Sequence, residues 1–157
     1  WLAHHSGRIA QDCAIRLATI SHAVVPTDKN LASLIEDQIY SDILLFAFHC
    51  RKVMERRNNK NASLNCDPLW PASSTCPPQS SLWDVLGKII HAEEMTVCWE
   101  KPDLKPCPYV GCEPNFAGSL KVKSAHGTCK FPIGAIVASF VGSVLNKADD
   151  TKNKGTN

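Results

Sequence analysis

Apolar residues recur at three- and four-residue steps through the first third of the chain, which predicts helices there. Ile9, Cys13, Leu17 and Ile20, with Ala10 and Val24 beside them, place a first helix over residues 8–25 that Pro26 ends. Leu31, Leu34, Ile35, Ile39, Ile43, Phe46, Ala47, Cys50, Val53 and Met54 give one long apolar stripe and predict a second helix over 28–58. Thr27 or Asp28 suits its start, and Asn58-Asn59 suits its end. The short punctuation between the two helices predicts an antiparallel hairpin. Of ten prolines only Pro26 precedes residue 68, so residues 60–80, with Pro68, Pro71, Pro77 and Pro78, read as a loop. Trp70 within it is expected to fold back on the bundle. A third helix is expected over 81–94, with Ser81 and Asp84 as a capping box of the shorter acid. Leu82, Val85, Leu86, Ile89 and Ile90 form its buried face. Asp84, Lys88 and His91 share the opposite one.

After Met95 the period changes to two. Met95–Trp99, Leu120–Lys123 and Cys129–Ile133 read as strands, with a proline-rich loop from Lys101 to Asn115 and a turn around Gly127. Ile136, Val137, Phe140, Val141, Val144 and Leu145 suggest a closing helix, with a strand as the alternative because of Gly134 and Gly142. The fold class is therefore α+β, mainly α: an antiparallel helical bundle, a small C-terminal antiparallel sheet and a closing helix.

At 157 residues the chain is one domain, expected over 1–148, with the polar stretch 149–157 as a disordered tail. It opens on Trp1 without a charged-then-apolar leader, so no retained signal peptide is expected. No apolar run is long enough to span a membrane. A net charge of +2 neither demands nor excludes a nucleic-acid partner. Eight cysteines without a CxxC pair favour reduced thiols and a cytoplasmic setting. The alternative is a small secreted disulfide-containing protein, which the sequon Asn61-Ala62-Ser63 would suit. Walker, dinucleotide-glycine, GxSxG and HExxH signatures are absent.

The segment Leu82-Trp83-Asp84-Val85-Leu86-Gly87-Lys88-Ile89-Ile90-His91-Ala92 resembles the late helix of HEPN-like proteins. Uncharacterised prokaryotic members carry an Asn-Lys-Ile-Ile-His stretch there, followed by a strand. The preceding helix, Ile43 to Arg57, and the ending, Gly127 to Leu145, resemble theirs too. The likeness spans roughly residues 30–146. It implies a helical bundle that dimerises with a second copy. Many members are metal-independent ribonucleases of toxin or antiviral type, with an arginine, a polar residue and then a histidine four to six positions beyond the arginine. The chemistry suits those residues: a 2′-hydroxyl attacks the adjacent phosphate, an imidazole moves the proton, and a guanidinium steadies the developing charge.

His91 matches the motif histidine, but Leu86 stands where the arginine would be and Gly87 where the polar residue would be. The resemblance therefore implies a non-catalytic or degenerate binding domain for RNA, a nucleotide or a partner protein. The alternative is a metal-independent endoribonuclease using His91 and Lys88, or His91 with an arginine from elsewhere such as Arg51 or Arg56. Neither cofactor nor metal is expected. The bland reading of His91 is a surface histidine at a helix end, and that of Asp84 with Lys88 is a surface ion pair.

Arg51, Lys52, Arg56, Arg57 and Lys60 form the densest basic run, and Arg51, Arg56 and Arg57 are the candidate nucleic-acid contacts. A solvated helix end explains the run equally, and no aromatic residue is interleaved for base stacking. Arg16 and His22 repeat the loose motif spacing, but six helical residues turn them about 240° apart. Cys98, Cys107, Cys112, Cys129 and His126 allow zinc, disulfides or free thiols. Only Cys107 and Cys112 approach a zinc-knuckle spacing, and a partner pair is missing.

Overall fold

The computed structural model describes residues 2–23, 28–64, 81–100, 116–125 and 127–145, with backbone alone at 2, 3, 22 and 116. The expectations for Val24, Trp70, the proline-rich loop, His126 and the tail lie outside them. Helices come first: α1 (Leu2–His22), α2 (Lys29–Arg56) and α3 (Leu82–Ile90). Strands β1 (Glu94–Glu100), β2 (Phe116–Ser124) and β3 (Gly127–Pro132) follow, then α4 (Ile133–Phe140) and a closing π-helical turn, Val141–Leu145. This is the α+β, mainly α architecture that the hydrophobic pattern predicts. No helix among the described residues is long and apolar enough to cross a membrane.

The Asp28 carboxylate accepts from the Asn30 and Leu31 amides, both at 2.9 Å, and so caps α2. Asn58 closes it with a positive φ of 51°, a conformation asparagine tolerates. Two expected boundaries move. α1 begins at Leu2 rather than near residue 8, because no proline interrupts 2–7 and the helix propagates through them. α3 ends at Ile90 rather than 94, because Glu93 donates its amide to the Lys123 carbonyl at 2.8 Å and the chain is drawn into the sheet. Sheet pairing overrides the local helical pattern there.

α1 packs along α2, α3 lies against α2, and β2 is the central strand of the antiparallel sheet. Val97 pairs with Leu120, which pairs with Phe131, and Met95 pairs with Val122, which pairs with Cys129. All six face the core, as the two-residue period requires. Cys98 pairs with Ser119 and Trp99 with Ala117, leaving Gly118 as the extra residue of a bulge. Two side-chain bonds tie α2 to β1: the Val97 amide donates to the Tyr40 hydroxyl at 3.2 Å, and Trp99 Nε1 donates to Glu36 at 2.6 Å. In α4 every residue except Ala138 is buried, and this burial outweighs the poor propensity of Gly134. Cys13, Cys50, Cys98 and Cys129 are free thiols. The described residues hold no cluster of three or more metal-ligating side chains, and Cys107 and Cys112 lie outside them.

The single stripe expected on α2 divides in two. Ile39, Ile43, Phe46, Ala47, Cys50, Val53 and Met54 are buried, but Leu34 is 68% exposed and Phe48 50%. At about 100° per residue, Leu34, Leu44, Leu45 and Phe48 fall on the face opposite the core. Leu34 thus belongs to a second apolar face. Leu31, also exposed, lies at the flank of the core stripe.

Candidate basic cleft between α2 and α3

α3 is the shortest of the first three helices and has the most sharply divided faces. Ser81 caps it: the hydroxyl accepts from the Asp84 amide at 3.1 Å and donates to the Asp84 carboxylate at 2.7 Å. Leu82, Val85, Leu86 and Ile89 seal the core side. The other side, with Asp84, Gly87, Lys88 and His91, faces a cleft of about 370 Å³ closed by Arg51, Trp83, Ser124 and Ala125. His91 is the C-cap residue, its amide bonded to the Gly87 carbonyl at 3.0 Å, and its side chain is exposed. The face predicted from the four- and three-residue steps is therefore present and lines a cavity.

Arg51 reaches this cleft from α2. Its guanidinium carbon lies 3.9 Å from the centre of the Trp83 ring, and Lys60 Nζ lies 4.8 Å from the same ring. A side chain on Gly87 would begin 3.3 Å from Arg51 Nη1, so the bare α-carbon leaves the guanidinium room it would otherwise gain by a small shift. The expected Asp84–Lys88 surface pair is not formed. The Ser81 hydroxyl takes the carboxylate, and Lys88 Nζ turns toward Cys129 Sγ on β3 at 3.2 Å. Arg51 and Lys60 thus set positive charge against an indole, and Lys88 lines the same cleft, with Asp84 as its acidic lining residue.

The candidate contacts divide. Arg51 joins Lys88 and His91, whereas Arg56 and Arg57 line a different hollow. Arg57 donates to the Val144 carbonyl, and Asn59 donates to the Ser143 carbonyl at 2.7 Å, so this end of α2 anchors the closing turn. Arg16 is committed elsewhere: its guanidinium grips both oxygens of the buried Asp42 at 2.7–3.1 Å. Trp83 is the residue the sequence reading missed. It lies thirty-two positions from Arg51, so the aromatic partner absent from the basic run is supplied by another helix. The signal available was the tryptophan on α3 at the edge of the apolar face.

No family model, curated protein or solved structure matches the chain.

Proposed function

We propose that this chain is a HEPN-like, degenerate RNA-binding domain whose α2–α3 cleft holds a phosphate and an adjoining base of the RNA. One observation carries it: Arg51 crosses from α2 over Gly87 to stand on Trp83, in the cleft that also holds Lys88 and His91. A guanidinium presents a fork of donors to a phosphate, Lys88 adds a point charge, and the indole offers a face for stacking. Titrating a labelled oligoribonucleotide of about ten nucleotides, with chelator present, tests it. Arg51→Gln and Trp83→Ala should each weaken binding at least about tenfold, and Arg51→Gln should also lower the salt slope by about one. Unchanged affinity in both variants removes the reading.

A second reading, a metal-independent endoribonuclease, draws on the same arginine. Arg51 enters from outside the motif and lines the same cleft as His91 and Lys88. His91 would take the 2′-hydroxyl proton as that oxygen bonds to the adjacent phosphorus, Arg51 would steady the phosphorane, and the P–O5′ bond would break with the 5′-oxygen taking a proton from water, leaving a 2′,3′-cyclic phosphate. Metal-free RNA cleavage that disappears in both His91→Ala and Arg51→Gln raises this reading above simple binding. Equal cleavage by wild type and His91→Ala eliminates it.

We further propose a homodimer through the outer face of α2, where Leu34, Leu44, Leu45 and Phe48 are exposed. Asp37 and Lys52 occupy opposite ends of that face, so an antiparallel copy sets acid on base. Sedimentation should give a dimer that Leu45→Glu with Phe48→Glu converts to a folded monomer; a monomeric wild type refutes it.

A further inference from the structure

The basic run on α2 serves two sites. Residues 51 and 56 lie about 140° apart around the helix, so Arg56 and Arg57 turn away from Trp83 and toward α1. There they line a separate hollow of about 250 Å³ with His4, Gly7, Arg8, Gln11, Val53 and Leu145. Three arginines from two helices converge on it, and none of its lining residues is a carboxylate. Among the described residues, neither Arg8 nor Arg56 makes an ion pair. Arg57 is held in place by the bond it donates to the Val144 carbonyl, which uses one of its five N–H groups.

Three exposed arginines lining one small space, with no carboxylate among the lining residues, make it electropositive. An anion entering that space is attracted by all three. The volume lies below the usual range for sites that enclose whole drug-sized ligands, so it suits a single anionic group rather than a nucleotide. Guanidinium forks match the oxygens of a phosphate, and a doubly charged group answers three arginines better than a carboxylate does. We propose that the α1–α2 hollow binds a terminal phosphate, a phosphomonoester dianion, through Arg8, Arg56 and Arg57. It shares no residue with the α2–α3 cleft, so it stands or falls independently of the RNA-binding reading.

The test uses the whole chain and inorganic phosphate as the first probe, titrated calorimetrically at constant ionic strength set with chloride. Arg8→Gln and Arg56→Gln should each weaken phosphate binding at least about tenfold. Gly7→Glu should abolish it by placing a carboxylate in the hollow. A Cβ at Gly7 meets nothing within 4 Å, so this variant is expected to fold. Lys121→Gln, which removes an exposed charge on β2 outside both hollows, should leave phosphate affinity unchanged.

Two further probes identify the source of the phosphate, an oligoribonucleotide with a 5′-phosphate and the same oligomer with a 5′-hydroxyl. A preference for the phosphorylated form that Arg8→Gln removes assigns the site to a nucleic-acid end. Equal binding of the two oligomers, with Arg8-dependent phosphate binding intact, assigns it to a small phosphomonoester. The proposal is overturned if phosphate does not bind, if Arg8→Gln and Gly7→Glu bind it as wild type does, or if Lys121→Gln weakens it as much as Arg8→Gln does.

Discussion

Arg16→Met should destabilise the protein more than Asp42→Asn, although the two residues form one ion pair. Asp42 is 1% exposed between α1 and α2, whereas the Arg16 side chain is 47% exposed. Arg16→Met leaves a buried carboxylate with only the Gln38 amide, at 2.9 Å, to satisfy it. Losing one partner of a fully buried pair costs about 3–5 kcal/mol. Screening of the half-exposed guanidinium and the surviving Gln38 bond reduce this to about 2–3 kcal/mol. Asp42→Asn removes the charge itself, and the freed guanidinium turns to water, so the cost is about 1 kcal/mol. Urea unfolding reads both, and for a chain of this size the larger loss lowers Tm by about 4–12 °C.

The pH dependence sharpens this prediction. Burial pushes the Asp42 carboxyl up, but the Arg16 hydrogen bonds, the Gln38 amide and the Arg16 charge together hold it below its ordinary value. In the wild type the pair's stabilisation is therefore complete above the ordinary carboxylate range, near pH 3.9, and is lost as pH falls through the lower folded value. In Arg16→Met burial is opposed only by Gln38, and the carboxyl rises. The folded state then takes up a proton before the unfolded state does, so the gap to wild type narrows from pH 7 to pH 4. Equal penalties for the two variants, or a gap that stays constant across that range, would refute the reasoning.

His49 should contribute a second pH dependence. Burial and the nearby His5 lower its imidazole, and Nδ1 is buried without a hydrogen-bond partner. The unfolded chain then binds a proton that the folded one resists, so stability falls as pH drops below about 6.5. His49→Phe should flatten the change in urea midpoint between pH 7.5 and 5, and parallel profiles would contradict this. Burial pushes the Cys50 thiol up, whereas Cys98 is only half-buried on β1. Iodoacetamide followed by peptide mass analysis should therefore find Cys98 labelled while Cys50 stays intact until the protein unfolds. Phe140→Ala should cost about 3–5 kcal/mol in urea, because its ring meets Phe46 edge-on at 5.2 Å in the core. Leu34→Ser should stay within about 0.5 kcal/mol of wild type in urea unfolding of the single chain at high dilution, because Leu34 is 68% exposed.

The fold was legible wherever one face of an element meets one environment. The existence and buried face of α3 and of the three strands read correctly, though not their bounds, because their apolar positions face the same core along their length. α2 misled because it is apolar on two opposite faces: Leu31 leads to Ile35 by one four-residue step, whereas Leu34 leads through three steps of three or four residues to Leu45 and then to Phe48. The end of α3 was illegible for another reason. What stops the helix is the Lys123 carbonyl, thirty residues further along the chain. The ion pair between Arg16 and Asp42 was hidden in the same way, since neither residue signals that the other lies across the helix interface.

The site shows most clearly what spacing can and cannot carry. A motif on one helix assumes that all its groups come from that helix. Here Leu86 is 0% exposed, so an arginine at that position would bury its charge among Val85, Ile89 and their neighbours, at a cost no surface arginine bears. Gly87, which reads as the loss of a polar residue, lies beside the Arg51 guanidinium and eases its approach from α2. The two departures from the pattern therefore have one structural counterpart. The core keeps Leu86, the surface gives up a side chain at Gly87, and the positive charge arrives by a tertiary contact with Trp83. A guanidinium delivered this way lies on an aromatic face and shares the cleft with Lys88. Binding a phosphate requires only that charge and that face, whereas cleavage also requires a 2′-oxygen in line with the P–O5′ bond and the His91 imidazole within hydrogen-bond reach of it. This difference in geometric demand favours the binding reading over the catalytic one.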